Sequence, residues 1–394
     1  MECLKKQTLT EYTLNSLRAV CVSSPDEEYK NRVKKHWDDV AKPLDGMGDF
    51  EDLICKIGAI QRREDVKLDK KALLIMCADN GIVKEGVSQS DSSVTLSVAK
   101  NMAKGRSSVA VMAKKNGIDV FVYDVGIDSD EEFEGIINAK IRKGTNDFYK
   151  EPAMSEEETL KAINLGINLV KECVDKNYDI ILTGEMGIGN TTTSAAVCTA
   201  IISAQYASEK HTDSDTDNLT EKQTDLDCDC DTDTLIEKLT GRGAGLDDEK
   251  FLNKKRIIRE SVEKYSLKSA DAFTVIKTVG GLDIAALTGI CIGGAIYGVP
   301  VVLDGVITMT AGLVAEKICP GVKEYYILSH KGKEPASQMI SDKLGLKPVI
   351  DSNMALGEGT GAVMMASLLE DALCVYKNAA RFSDIAVENY ERFT

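Results

Sequence analysis

The sequence predicts an α/β protein: a doubly wound, mainly parallel sheet in α/β/α layers, joined by a small helical domain drawn from both chain ends. Two observations carry this. Short continuous apolar runs recur at 72–77, 120–123, 180–182, 299–303 and 325–328, and strands apolar on both faces belong to a parallel sheet covered on each side. Between them lie longer amphipathic stretches such as 93–112 and 156–175, long enough to serve as crossover helices between parallel strands.

Taken in chain order, residues 1–65 read as helical, with helices at 29–37 and 50–60 separated by the breaker stretch Lys42-Pro-Leu-Asp-Gly-Met-Gly48. With residues 367–394 they are expected to form the small helical domain, leaving 66–366 as the large α/β catalytic domain. The uncharged stretch 284–303 has the length of a membrane span. Its glycines at 289, 293, 294 and 298, and the β-branched run opened by Pro300, instead predict a buried helix feeding a buried strand. Residues 205–238 hold eight Asp, three Glu and three Lys, and so contribute -8 of the chain's net -15. Such a segment has little to bury and is expected to form an acidic flexible insertion.

Composition also narrows the function. Among 394 residues, 48 Lys plus Arg stand against 63 Asp plus Glu, which excludes the basic footprint of a nucleic-acid binder. Eleven cysteines without a CxxC pair, and only three histidines, argue for a reducing compartment and against a zinc site. The N-terminal residues lack the apolar core of a secretory signal, so the cytoplasm is the expected location. No metal or cofactor is expected.

The strands end in Ala-Asp79, Asp124-Val-Gly126, Thr-Gly-Glu185, Asp304-Gly305 and Ser329-His330. Polar residues gathered at strand ends predict a ligand cleft there, because open α/β sheets bind outside the carboxyl ends of their strands. Three glycine loops add to it. Gly184-Glu-Met-Gly-Ile-Gly-Asn190 precedes a small-residue helix whose first N–H groups suit an anion. Gly241-Arg-Gly-Ala-Gly-Leu246 leads into a basic helix where Lys254 offers a cation. Leu356-Gly-Glu-Gly-Thr-Gly361 sets Glu358 between glycines, as a base meeting a flat substrate requires, although a helix N-terminal acid favoured by the helix dipole reads the same way.

These loops, with Ala78-Asp-Asn-Gly81, Glu85-Gly-Val87, Val279-Gly-Gly-Leu282 and Pro300-Val-Val-Leu-Asp-Gly305, resemble the nicotinate-nucleotide–dimethylbenzimidazole phosphoribosyltransferase (CobT) family. The resemblance runs from about residue 42 to 382. It implies transfer of the ribosyl phosphate of nicotinate mononucleotide to 5,6-dimethylbenzimidazole or a related lower-ligand base. The products are the α-ribazole 5'-phosphate and nicotinate, in cobamide nucleotide-loop assembly, made by a homodimer.

By the same resemblance Glu358 is the base that takes the proton from the attacking azole, and Glu185 is the acid beside the reacting ribose. Lys254 lies near the nucleotide. Met186, Gly187, Leu356, Gly357, Gly359 and Gly361 present substrate-facing surface, and Ser90 and Val98 line the base pocket. Val98 stands where the family has Gln and Gly332 where it has Ser, which bears on base preference and on one nucleotide contact. A catalytically silent nucleotide-binding homologue or partner subunit is the alternative, opposed by the presence of both glutamates. A nucleotide-dependent oxidoreductase is disfavoured because no acid follows a proper glycine fingerprint at the ribose-reading distance.

Overall fold

Strand β1 (Lys71–Ala78) is buried along its whole length. Its residues alternate between two cores: Ala72, Leu74, Met76 and Ala78 in one, Leu73, Ile75 and Cys77 in the other. That two-residue period is what a strand covered on both faces produces. In this computed structural model, which describes residues 11–212 and 232–392, β1 is flanked by β2 (Ile118–Gly126) and β4 (Ile180–Met186), β2 by β3 (Ile136–Asn138), β4 by β5 (Val301–Leu303), and β5 by β6 (Tyr326–Leu328). Every pairing is parallel, in the order β3-β2-β1-β4-β5-β6. This is the doubly wound α/β architecture expected, with an added edge strand.

One face is covered by α6 (Glu156–Asp175), α7 (Asn190–Thr212), α8 (Thr232–Leu239), α9 (Asp248–Lys264), α10 (Ala272–Val279), α11 (Leu282–Tyr297), α12 (Val306–Ile318) and α13 (Ala336–Leu344). The short α1 (Leu14–Arg18) also buries Leu17 there. The other face carries α2 (Glu27–Asp39), α3 (Asp49–Gln61), α4 (Ser93–Ala103), α5 (Ser108–Lys115) and α14 (Thr360–Asn378). Glycines let α6 and α11 approach closely, since a Cβ on Gly166 would sit 2.0 Å from the Ala286 carbonyl oxygen and one on Gly289 1.9 Å from that of Ile163. α11 is buried almost throughout and feeds β5, as expected of 284–303. Among the described residues no helix is long and apolar enough to cross a membrane.

The terminal segments pack on each other. His36 stacks on Tyr376 with ring centroids 4.0 Å apart, and the Ala41 N–H donates to the Ala380 carbonyl at 2.8 Å. Their apolar residues, Trp37, Ile54, Ile57 and Leu369 among them, belong to the same core as Leu73 and Ile75 of the sheet.

Two expectations need correction. The stretch 93–112 is two helices, because the chain turns at Gly105 (φ +69°) before Ser107 caps α5. The acidic insertion 205–238 is helical at both ends: α7 runs to Thr212, and α8 buries Leu235, Ile236 and Leu239 in the core. An apolar triplet at i, i+1 and i+4 supplies the burial that the charged composition conceals. The rest of that expectation, at 213–231, lies outside the described residues.

Candidate active site

β1 and β4 are neighbours from which the chain departs to opposite sides, β1 toward β2 and β4 toward β5. This is the switch point at which doubly wound sheets bind ligands. A cavity of about 930 Å³ opens at the carboxyl ends of β4, β5 and β6, lined by Glu185, Met186 and Gly187, by Asp304, by His330 and by Leu356, Gly357 and Glu358. Strand ends thus gather the polar residues as expected.

Glu185 lies within β4, paired in register with Met76. The Asn190 side-chain amide, at the start of α7, donates both to Glu185 Oε2 and, at 3.2 Å, to Asp283 Oδ2. The Glu358 backbone N–H also reaches the Glu185 carboxyl. Burial, reinforced by the nearby charges of Asp283 and Asp304, pushes Glu185 up to about 8 against these hydrogen bonds. Asp283, fully buried in the first turn of α11, is pushed up to about 6, chiefly by burial, although the Ile284 N–H donates to it at 2.9 Å. Two carboxyls bridged by one amide, with their proton affinities held apart, can divide acid and anion roles at neutral pH.

Glu358 is half-buried with φ +63°, between Gly357 at +79° and Gly359 at +96°. The turn is closed by the Thr360 N–H and hydroxyl, which donate to the Gly357 carbonyl at 3.0 and 2.8 Å. Gly184 is required beneath it: a Cβ there would lie 2.6 Å from the Glu358 carbonyl oxygen. A Cβ on Gly357 would lie 2.8 Å from Glu185 Oε1, so a bare glycine next to Glu358 leaves room for the Glu185 carboxyl. Burial and then the charge of Asp304 raise Glu358 above the usual carboxylate range. Its Oε2 is shielded and has no hydrogen-bond partner.

The other residues expected at the site divide. Met186, Gly187, Leu356 and Gly357 line the cavity. Lys254 does not: it is wholly buried behind the lining, its Nζ donating to Thr191 Oγ1 at 3.1 Å and the Gly241 carbonyl at 2.9 Å. Burial pulls its ammonium down to about 8. Gly359 and Gly361 are not in the lining either; their N–H groups donate to Asp304 at 3.0 and 2.7 Å. Ser90 and Val98 lie outside the lining as well. Val98 packs half-buried against the apolar cluster that Met186 also joins, and Ser90 follows Gln89, whose amide donates to the Gly245 carbonyl.

Sequence reasoning passed over four residues. Asp283 follows the glycine pair at 280–281 with no signal of its own, and it meets Asn190 because α11 starts beside the end of β4. Asp304 and His330 were legible as strand ends but not as site residues. Ser337, in the first turn of α13, lines the cavity with its hydroxyl buried and unpartnered. A Cβ on Gly332 would lie 2.9 Å from that hydroxyl, so Ser337 fills the space a larger residue 332 would take. Of the cations in the lining, Arg242 pairs with Asp248 and Lys255 with Glu237, whereas exposed Lys333 has no ion pair among the described residues.

A cavity at the switch point of a doubly wound sheet, walled by glycine backbone and lined by two acids of raised proton affinity, defines an enzyme site for group transfer on a polar small molecule. Comparison with known proteins narrows this. A family model described as Phosphoribosyltransferase (DBI_PRT) matches residues 22–226 and 228–387, and the chain belongs to that family of phosphoribosyltransferases. Similar proteins include the nicotinate-nucleotide–dimethylbenzimidazole phosphoribosyltransferases of Clostridium perfringens, 41% identical over 92% of each chain, and of Acetivibrio thermocellus, 38% identical over 93% of this chain and 95% of that one. The crystal structure of CobT from Thermus thermophilus superposes with a TM-score of 0.80 at 28% identity, covering 92% of this chain and all of that one.

Proposed function

We propose that the chain transfers the ribosyl phosphate of nicotinate mononucleotide to 5,6-dimethylbenzimidazole or a related lower-ligand base in cobamide assembly. One azole nitrogen attacks the anomeric carbon with inversion as the C–N bond to nicotinate breaks and its electrons return to the pyridine ring. The proton on the other azole nitrogen, made acidic by the attack, passes to Glu358. The observation that carries this reading is the Glu358 Oε2: shielded, raised in proton affinity, on a residue that lines the cavity, and bonded to nothing. A base with no internal donor to satisfy is free to accept a proton from substrate.

Glu185 and Asp283 supply the complementary half. The buried charge of Asp283, beside a Glu185 that keeps its proton at neutral pH, favours the cationic pyridinium of the bound nucleotide and the positive charge that develops at the anomeric carbon. The hydroxyl of Ser337 and the ammonium of Lys333 are suited to the nucleotide's anionic end. The same reading has the enzyme working as a homodimer in the cytoplasm. Exposed Met364 and Leu368, one turn apart on α14, with Val111 on the adjoining α5, offer apolar surface for a second copy, and sedimentation tests that.

The test is Glu358→Gln, which preserves shape but cannot take the proton. With nicotinate mononucleotide and 5,6-dimethylbenzimidazole, turnover is expected to fall about 10²–10⁴-fold, the usual worth of a positioned general base. Binding of the nucleotide persists, and the acid limb of the wild-type rate profile disappears. Near-wild-type turnover with that limb intact removes Glu358 from the base role.

A further inference from the structure

A non-glycine residue at φ +63° is held there only if its surroundings over-determine the conformation. Glu358 has little of its own to hold it: its side chain is unpartnered at Oε2, and both neighbours are glycines. The Thr360 contacts to the Gly357 carbonyl close the turn, and one buried carboxylate at the end of β5 ties it to the sheet. Asp304 is 1% exposed; its Oδ2 accepts the Gly359 N–H at 3.0 Å, and its Oδ1 accepts those of Gly361 and Ala362 at 2.7 and 3.1 Å. These three N–H groups lie one, three and four residues after Glu358. Gly361 admits the arrangement because a Cβ there would strike His330 Nδ1 at 2.0 Å and Asp304 Oδ1 at 2.9 Å.

We propose that Asp304 is a positioning residue for the transfer reaction: by gathering the backbone N–H groups that follow Glu358, its carboxylate clamps Glu358 in the left-handed conformation that presents it to the cavity. The clamp rests on the reading of Glu358 as the base. Burial raises the proton affinity of Asp304 against its three N–H bonds, and when ionised Asp304 favours the protonated form of Glu358. The titratable groups around this corner are Glu185 from β4, with Asp283 of α11 behind it across the Asn190 amide, and His330 after β6, whose Nδ1 lies 4.0 Å from Asp304 Oδ1. Arg242, Lys255, Lys333 and Glu334 stand elsewhere around the cavity.

Asp304→Asn tests it. The asparagine has one acceptor oxygen and turns N–H donors toward at least one N–H of the loop. Turnover is expected to fall about 10–100-fold, as a displaced catalytic group gives, with the nucleotide KM changed less than about threefold. The acid limb should move to lower pH, because the neighbouring negative charge that raises Glu358 is gone, and Glu185, which the same charge raises, moves in the same direction. An unmoved limb, or a loss confined to KM, overturns the proposal.

A second measurement is independent of turnover. Glycine takes φ +63° without strain, so in a Glu358→Gly background the drop in melting temperature caused by Asp304→Asn should be at most half that seen in the wild-type background. Equal drops in both backgrounds mean that Asp304 only anchors α14, which refutes the clamp. If Asp304→Asn alone does not fold, recovery of folding in the double variant is the supporting result and its failure the refuting one. Because the melting comparison needs no assumption about the chemistry, failure of the clamp and failure of Glu358 as base are separable.

Discussion

Replacing Glu185 by Gln should change how stability depends on pH. In the folded enzyme this carboxyl holds its proton up to about 8, whereas an exposed glutamate releases it near 4.5. Between those values the native state carries a proton that the unfolded chain has lost, so stability is full below about pH 4.5 and falls as pH rises toward 8. Each pH unit in the window removes up to about 1.4 kcal/mol. Because the carboxyl borders an open cavity and keeps the Asn190 amide, the total is on the order of 2–4 kcal/mol rather than the full product of shift and slope. Glutamine retains an acceptor for Asn190 and has no charge to desolvate.

Urea unfolding at pH 5, 6, 7 and 8, followed by circular dichroism, reads this directly. The wild-type midpoint should decline steadily across the series. The variant should be nearly flat above pH 6, with a shallower slope below it contributed by Asp283, whose carboxyl titrates near 6. At pH 8 the variant should therefore be the more stable protein, even as its turnover drops. Parallel curves for the two proteins would show that Glu185 is ionised throughout, and the assignment of a neutral acid beside a charged Asp283 would be wrong.

Two further outcomes follow from particular contacts. Ser337→Ala deletes a buried, unpartnered hydroxyl facing the cavity and should weaken nicotinate mononucleotide binding about 10-fold or more in calorimetry, the worth of a hydrogen bond to a charged group. Gly332→Ser added to that variant should restore part of the affinity, since its Cβ would sit 2.9 Å from the position Ser337 Oγ has vacated; no loss on Ser337→Ala excludes the contact. Ile236→Ala, in the helix that follows the acidic stretch, should cost about 2–5 kcal/mol in urea unfolding as a fully buried residue is cut back, whereas a change under about 0.5 kcal/mol would mean that α8 contributes no core.

The order of residues along the chain is enough to specify five of the six strands and part of the chemistry at their ends. Strands β1, β2, β4, β5 and β6 are legible because burial on both faces leaves uninterrupted apolar runs. Glu358 is legible because glycines on both sides mark an acid held by backbone, and Glu185 through the family resemblance of the loop it stands in. Strand β3 is not: Ile136–Asn138 is a partly exposed edge of three residues with no such run. Helix α8 was hidden by the charge of the residues before it.

Which way each group faces is settled by packing in three dimensions. Gly359 and Gly361 read as substrate-facing loop glycines, yet their N–H groups are consumed by Asp304, from a strand more than fifty residues earlier. Lys254 reads as a ligand cation, yet packing turns it inward onto Thr191 and Gly241. Asp283 becomes part of the acid pair only because α11 starts at the mouth of β4. A one-dimensional pattern records which residues can bury or bond; which partner each one meets depends on how separate strands end side by side, and no local spacing encodes that.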